Sequence, residues 1–295
     1  MVMHTSVLLQ ETVDSLNIEP GNVVLDATLG GGGHSSEIAK RLGPSGMLVG
    51  IDEDAAALIR SRSKLENQKT RVVLKQGNFR NLDKLLAEEG VDHIDRAVFD
   101  LGLSSFELEE SGRGFSFQKD EPLLMTFSET PGSVTAYDVV NSWGEESLAD
   151  IIFGFGGERY SRRIARLIVE RREQSPIKTS GELAHIVSEA VPGSYRRGRI
   201  HPATKTFQAI RMAVNDELGA LKEGLLKAWQ MLSPGGRIAV ISFHEHEDRI
   251  TKHFFVEKVK HEGAKVYSKK PIVPDASEVR KNPRSRSAKL RIIEK

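Results

Sequence analysis

Leu25-Asp26-Ala27-Thr28-Leu29-Gly30-Gly31-Gly32-Gly33-His34-Ser35 joins an apolar run to a helical one. The preceding Val23-Val24-Leu25-Asp26 is short, β-branched and uninterrupted, the pattern of a strand buried on both faces. Ser35 to Leu42, after it, has helical period. The segment therefore reads as the opening strand, turn and helix of a doubly wound α/β sheet. In such sheets ligands sit at the carboxyl ends of the strands, and the first turn approaches them most closely. Glycines allow positive φ and remove side chains that would bar a ligand, while the next helix offers free N–H groups. Four in succession lose much chain entropy on ordering, which favours a ligand cradle over a plain loop.

The same rhythm continues outward. Met47-Leu48-Val49-Gly50-Ile51-Asp52, Arg71-Val72-Val73-Leu74 and Ala97-Val98-Phe99-Asp100 read as further parallel strands, with helices over Asp54 to Leu65 and Asn81 to Glu88. After Leu103 the rhythm stops. Gly112-Arg113-Gly114-Phe115-Ser116-Phe117, Pro122 and Pro131 indicate irregular loop, and Thr135 to Ser194 is helical. A long helix restarts at Ala203, with Ile210, Val214, Leu218, Leu221, Leu225, Trp229 and Leu232 on one face. Ser233-Pro234-Gly235-Gly236 ends it and Arg237 to Ser242 resumes the sheet. The expected architecture is a Rossmann-like α/β domain in two pieces, residues 1–105 and 203–295, interrupted by a helical insertion at 106–202. Ala264 to Tyr267 and Lys289 to Ile293 are expected to close the sheet edge antiparallel, with Asn282 to Ser287 a basic loop.

Composition narrows the function. The 295 residues contain no cysteine, which removes disulfides, thiolate metal sites, iron-sulfur clusters and thiol nucleophiles. No apolar run approaches the roughly eighteen residues of a membrane span, and the start of the chain lacks signal-peptide character, so a cytoplasmic location without membrane contact is expected. The formal net charge of +1 conceals an asymmetry: Arg159 to Arg211 carries +8 and Lys265 to Lys295 carries +7, leaving −14 on the rest. Two basic surfaces on an acidic body point to a phosphate-bearing partner.

Asp52 ends the second strand, where a carboxylate accepts hydrogen bonds from ribose hydroxyls. That feature suits both nicotinamide dinucleotides and S-adenosylmethionine. Three observations favour S-adenosylmethionine. The turn reads Gly-Gly-Gly-Gly-His, not Gly-x-Gly-x-x-Gly; Asp26 can face a sulfonium or order the turn; and Asn78-Phe79 can cap or stack on an adenine. Asp100 ends the fourth strand. It can accept a hydrogen bond from an exocyclic amine and so localise the nitrogen lone pair for methyl transfer, or serve as a cofactor-side or turn-capping carboxylate. Gly102, Ser104 and Ser105 leave room for a base, and Phe115 and Phe117 can stack on it or belong to the core. His244-Glu245-His246-Glu247-Asp248 resembles a metal cluster, but residues adjacent on a strand-to-helix turn diverge. No metal is expected, and Glu245, Glu247 and Asp248 read as a solvated helix start.

Together these blocks resemble the MraW/RsmH family, bacterial methyltransferases that modify the N4 amine of a decoding-centre cytidine in 16S rRNA. The resemblance rests on His4 to Leu9 with Glu11, Asp26 to Ser35, Gly50 to Asp54, Asp100 to Ser105 and Arg113 to Phe117. It continues through Gly157-Glu158-Arg159 with Arg163-Ile164-Ala165, His201 to Thr204 with Thr206 to Ala209, Pro234 to Arg237, Ile241 to His244 and Asn282-Pro283-Arg284. It implies a class I methyltransferase fold with an RNA-holding helical insertion, S-adenosylmethionine as cofactor, and 16S rRNA or the small ribosomal subunit as partner. The cofactor contacts it implies are Gly32, Gly33, His34, Asp52, Phe79 and Asp100. A further one falls on Glu107, where the family carries glutamine; a glutamate accepts but does not donate at neutral pH. Leu124 and Thr126 stand where the family usually shows an acid and an arginine. These departures keep open a second expectation, an RNA-binding assembly factor of weak turnover, which need not bind S-adenosylmethionine.

Overall fold

The computed structural model describes residues 6–128 and 132–295. His4, Thr5 and Pro131 lie outside the described residues, as does the side chain of Ser105. The chain divides into two compact units, one made of Met1–Gly102 and Leu218–Lys295, the other of Leu103–Glu217.

The first unit begins with α1 (Leu9–Ser15), β1 (Val23–Asp26), α2 (Gly33–Leu42), β2 (Met47–Asp52), α3 (Ala55–Leu65), β3 (Arg71–Gln76), α4 (Leu82–Ala87) and β4 (Ile94–Asp100). The second contributes α5 (Ser105–Glu109), α6 (Ala136–Ser142), α7 (Glu145–Gly154), α8 (Ser161–Gln174), α9 (Ser180–Ala190), α10 (Gly193–Arg196) and α11 (Ala203–Val214). The chain then runs through α12 (Glu217–Met231), β5 (Leu232–Ser242), α13 (Glu245–Glu262), β6 (Lys265–Val266), α14 (Ala276–Lys281) and β7 (Lys289–Glu294).

The sheet order is β3-β2-β1-β4-β5-β7-β6. β1 pairs in parallel with both β2 and β4, while β7 runs antiparallel to β5 and β6 antiparallel to β7. This is the expected Rossmann-like sheet, with the antiparallel edge read from Lys289 to Ile293. Alternate residues feed two cores. Leu25, Val49, Phe99 and Val240 pack with Leu82, Leu225, Trp229 and Phe255, and Val24, Leu48, Val98 and Ala239 pack with Val13, Ile38, Leu42 and Leu65. Burial on both faces explains the unbroken apolar runs of the central strands. The order of connection reverses between β1 and β4, and such a switch point opens a crevice at the strands' carboxyl ends.

In the helical unit Phe115, Leu123, Met125, Val139, Ile152, Ile164, Leu183, Phe207 and Ile210 form one core. The single long helix expected from Ala203 to Leu232 is in fact two. Asp216 adopts a left-handed φ of 45°. The Asn215 amide donates to the carbonyls of Met125 (2.8 Å) and Arg211 (2.9 Å) and accepts from Phe127 N (2.9 Å), tying the break to the loop. Ala203, Phe207 and Ile210 consequently bury with the helical unit, and the boundaries expected at 106 and 202 fall instead at Leu103 and Glu217. Among the described residues no helix is long and apolar enough to cross a membrane.

Candidate active site

Three carboxylates end three neighbouring strands: Asp52 on β2, Asp26 on β1 and Asp100 on β4. The glycine turn rises between them. Asp52 Oδ2 accepts from Gly30 N at 2.7 Å and its Oδ1 from Asp54 N at 2.9 Å, so this acid fastens the tip of β2 to the turn. Each oxygen keeps a lone pair for a further donor. Asp26, 2% exposed, accepts from Ser35 Oγ at 2.6 Å and Thr28 N at 3.3 Å; of its two readings, ordering the turn is the one these bonds describe. Ser61 Oγ and Lys64 Nζ hold the carbonyls of Gly30 (2.9 Å) and Gly31 (2.6 Å) from α3.

Two of the glycines are fixed by space. Gly32 has φ 70°, and a Cβ there would lie 2.9 Å from Ser61 Oγ; at Gly33 it would lie 1.9 Å from Ser6 Oγ. The chain at Ser6 to Leu8 thus covers the start of α2. His34, 5% exposed, has Nε2 3.1 Å from the Val7 carbonyl and Nδ1 3.6 Å from Asp100 Oδ2. Burial holds its pKa below the ordinary histidine value, against the pull of the Asp26 charge and the Val7 carbonyl. A neutral ring facing a carbonyl places its proton on Nε2, which leaves the Nδ1 lone pair towards Asp100.

Asp100 is oriented by its own backbone, whose N–H donates to Thr28 Oγ1 at 2.6 Å. Burial pushes its carboxyl up to about 7, assisted by the Glu247 charge and opposed by the Gly102 N–H. Burial likewise raises Asp26 and Asp52. Burial thus disfavours the charged form of all three acids, and a positively charged ligand beside them would favour it.

Phe79 opens a 3-10 turn after β3, its ring edge-on to Phe99 with centroids 5.6 Å apart. Gly224 makes room for it, since a Cβ there would lie 2.6 Å from the ring. Asn78 caps that turn through Arg80 N (2.8 Å) and donates to Glu53 Oε1 (2.8 Å). Gly32, Gly33, His34, Asp52, Phe79 and Asp100 therefore all belong to the sheet unit. Glu107 belongs to the helical unit, where its carboxylate accepts from Ser104 N at 2.6 Å in a capping box that starts α5.

Of the two readings of Phe115 and Phe117, the core one describes Phe115, 6% exposed and stacked on Phe127; Phe117 is half-buried against the His201 ring at 4.4 Å. One expectation at this end of the sheet needs correction. Glu247 and Asp248 are not a solvated helix start. Glu247, 3% exposed, accepts from Phe243 N at 2.8 Å. Asp248 meets Arg291 (2.6 Å) and Lys289 (3.1 Å) of β7, while Glu245 alone of the three is exposed. Sequence reasoning also missed Thr28, Ser61 and Lys64 as supports of the turn. Thr28, two residues beyond Asp26 inside the turn, was the one with a local signal.

The MraW methylase family matches residues 1–295. The chain is 44% identical over 307 residues to ribosomal RNA small subunit methyltransferase H of Brevibacillus brevis, covering 99% of this chain and 98% of that one. It is 45% identical over 316 residues to the protein of the same name from Paenibacillus sp., covering both chains fully. Among solved structures, a putative rRNA-methylase from Clostridium thermocellum aligns over 99% of this chain and 97% of that one, with a TM-score of 0.48 and 15% identity.

Proposed function

The chain belongs to the MraW methylase family, and from that premise we propose that it transfers a methyl group from S-adenosylmethionine to the N4 amine of a decoding-centre cytidine in 16S rRNA. The observation that carries the chemistry is Asp100, buried at the tip of β4 with its Oδ2 3.6 Å from His34 Nδ1. The donor set suits a cationic cofactor, because Asp26, Asp52 and Asp100 are all held above the ordinary carboxylate range by burial. When bound, S-adenosylmethionine supplies an electrophilic methyl on a sulfonium.

In this reading Asp52 uses its remaining lone pairs on the ribose hydroxyls, Phe79 offers a ring face or edge to the adenine, and Gly32, Gly33 and His34 leave the backbone close to the ligand. The lone pair of a cytidine N4 amine is delocalised into the ring. Asp100, ionised, accepts an N–H of that amine and localises the pair for in-line attack. As the amine takes the methyl, the C–S bond of the sulfonium would break and leave a neutral thioether, and the proton released from the amine would pass to Asp100, with His34 Nδ1 behind it as a second acceptor.

The relatives named for ribosomal RNA support an RNA substrate, as do the +8 and +7 stretches. Binding to single-stranded rRNA fragments is expected to weaken steeply with salt, each neutralised phosphate contributing about −0.7 to the slope of log K against log salt. Fluorescence anisotropy between 50 and 300 mM salt, concentrations chosen to span the range where counterion release is measured, tests this; a flat response contradicts an electrostatic RNA surface. The functional experiment is mass spectrometry of small-subunit rRNA from cells lacking the gene. Loss of one N4-methylcytidine is expected, and an unchanged nucleoside profile overturns the reading.

A further inference from the structure

Within the helical unit, Arg159, Tyr195, Arg199, Ile200, His201 and Lys205 line a cavity of about 440 Å³. That size lies within the roughly 300–1,000 Å³ of small-molecule sites. Its charge is one-sided: three permanent cations and no acid line it. Some other arginines of the same unit have acidic partners, Arg166 with Glu145, Arg171 with Glu189 and Arg211 with Glu217. Among the described residues neither Arg159 nor Arg199 forms an ion pair. Glu158, fully buried beside Arg159, is already engaged, accepting from Tyr195 Oη at 2.6 Å and Tyr160 N at 2.9 Å.

The cations are also positioned. The Arg159 guanidinium lies 4.8 Å from the Tyr160 ring centroid and 5.0 Å from that of Tyr195, and these two rings meet edge-on at 5.0 Å. Lys205 Nζ is held 3.1 Å from the Gly157 carbonyl. His201 Nδ1 accepts from Ala203 N at 3.2 Å, which makes Nε2 its N–H donor. Ile200 stands 55% exposed at the same cavity. Cations that track a backbone, beside aromatic and apolar faces that take a base, are the two components of single-stranded nucleic-acid sites.

We propose that this cavity is a nucleotide subsite for unpaired RNA: Arg159, Arg199 and Lys205 hold a phosphodiester, and Tyr195, Ile200 and His201 receive the neighbouring base. The inference rests on the reading of rRNA as substrate and assigns part of its grip, apart from the methylated nucleotide, to the helical unit.

The test uses the full chain and a fluorescent single-stranded 12-nucleotide RNA, a length comparable to known single-strand site sizes. Arg199→Ala should weaken binding about tenfold and reduce the salt slope by about 1. Arg159→Lys, which keeps the charge but loses the planar stacking group, should weaken it several-fold. Both should leave calorimetric binding of S-adenosylmethionine and the melting temperature unchanged. A 4-thiouridine-bearing strand should crosslink within residues 195–205. Wild-type affinity and salt slope in Arg199→Ala, crosslinks confined to other segments, or displacement of RNA by inorganic phosphate at equal molar concentration would each overturn the subsite. Absence of rRNA methylation by the wild-type chain would instead overturn the functional reading, while the binding and crosslinking results still decide the subsite.

Discussion

Asp100→Ala is expected to lower turnover by about 100-fold to 10,000-fold with both substrates saturating, the range associated with removing a positioned acceptor from a proton-transfer step. Saturation separates this from lost binding. The expectation follows from how little freedom the carboxylate has. Its backbone N–H is fixed by Thr28 Oγ1, one oxygen lies near Gly102 N at 3.4 Å, and the other lies near His34 Nδ1. Turnover retained in Asp100→Ala would show that the amine needs no acceptor here. The same group gives a signature in the ligand-free protein. Burial raises its pKa from 3.8 to about 7, so across that window the folded chain binds a proton that the unfolded chain has released. Its contribution to stability is therefore complete below about pH 4 and lost as the pH climbs through 7. Melting curves of wild type against Asp100→Asn should diverge across this interval, with the wild type losing ground as pH rises. Parallel curves would mean that Asp100 is ionised throughout.

Removing Asp248 has the largest expected effect on stability. Its carboxylate bridges α13 to the final strand through Arg291 and Lys289. Burial pushes its pKa up, but hydrogen bonds and charge from Arg291 and Lys289 outweigh that and leave it below the ordinary value. Asp248→Ala strands the Arg291 guanidinium, whose side chain is only 13% exposed. Breaking such a pair from one side costs about 3–5 kcal/mol when fully buried, and about 3 kcal/mol is expected here. Urea denaturation measures it directly. Glu245→Ala, exposed and three residues earlier in the same helix, should change stability by less than about 0.5 kcal/mol. Equal effects from the two substitutions would contradict the assigned role of Asp248.

That contrast shows what a sequence reveals and what it withholds. The central strands were legible because burial on both faces demands continuous apolar runs, and Gly30 to Gly33 were legible because few turns tolerate four glycines. The helices flanking β1 to β4 needed only local periodicity and caps. What escaped depended on distant partners. Asp248 looks like any acid in a first helical turn until Arg291, 43 residues away, folds back beside it. The break at Asn215 is invisible in the apolar stripe from Ile210 to Leu232, because its cause is the loop at Met125 and Phe127. Phe115 carried equal claims as base stacker and core residue, and only its packing on Phe127 decided between them. The cavity at Arg159 and Arg199 appeared in sequence only as excess charge. Which arginines lack acidic partners is a property of the folded helices.

The direct test of the central claim is a transfer reaction. The purified chain is incubated with methyl-labelled S-adenosylmethionine and small ribosomal subunits from cells lacking the gene, and the digested rRNA is analysed by mass spectrometry. One labelled N4-methylcytidine per subunit, absent with Asp100→Ala, is the predicted result. RNA binding without any transferred label, or label on another base, would contradict it.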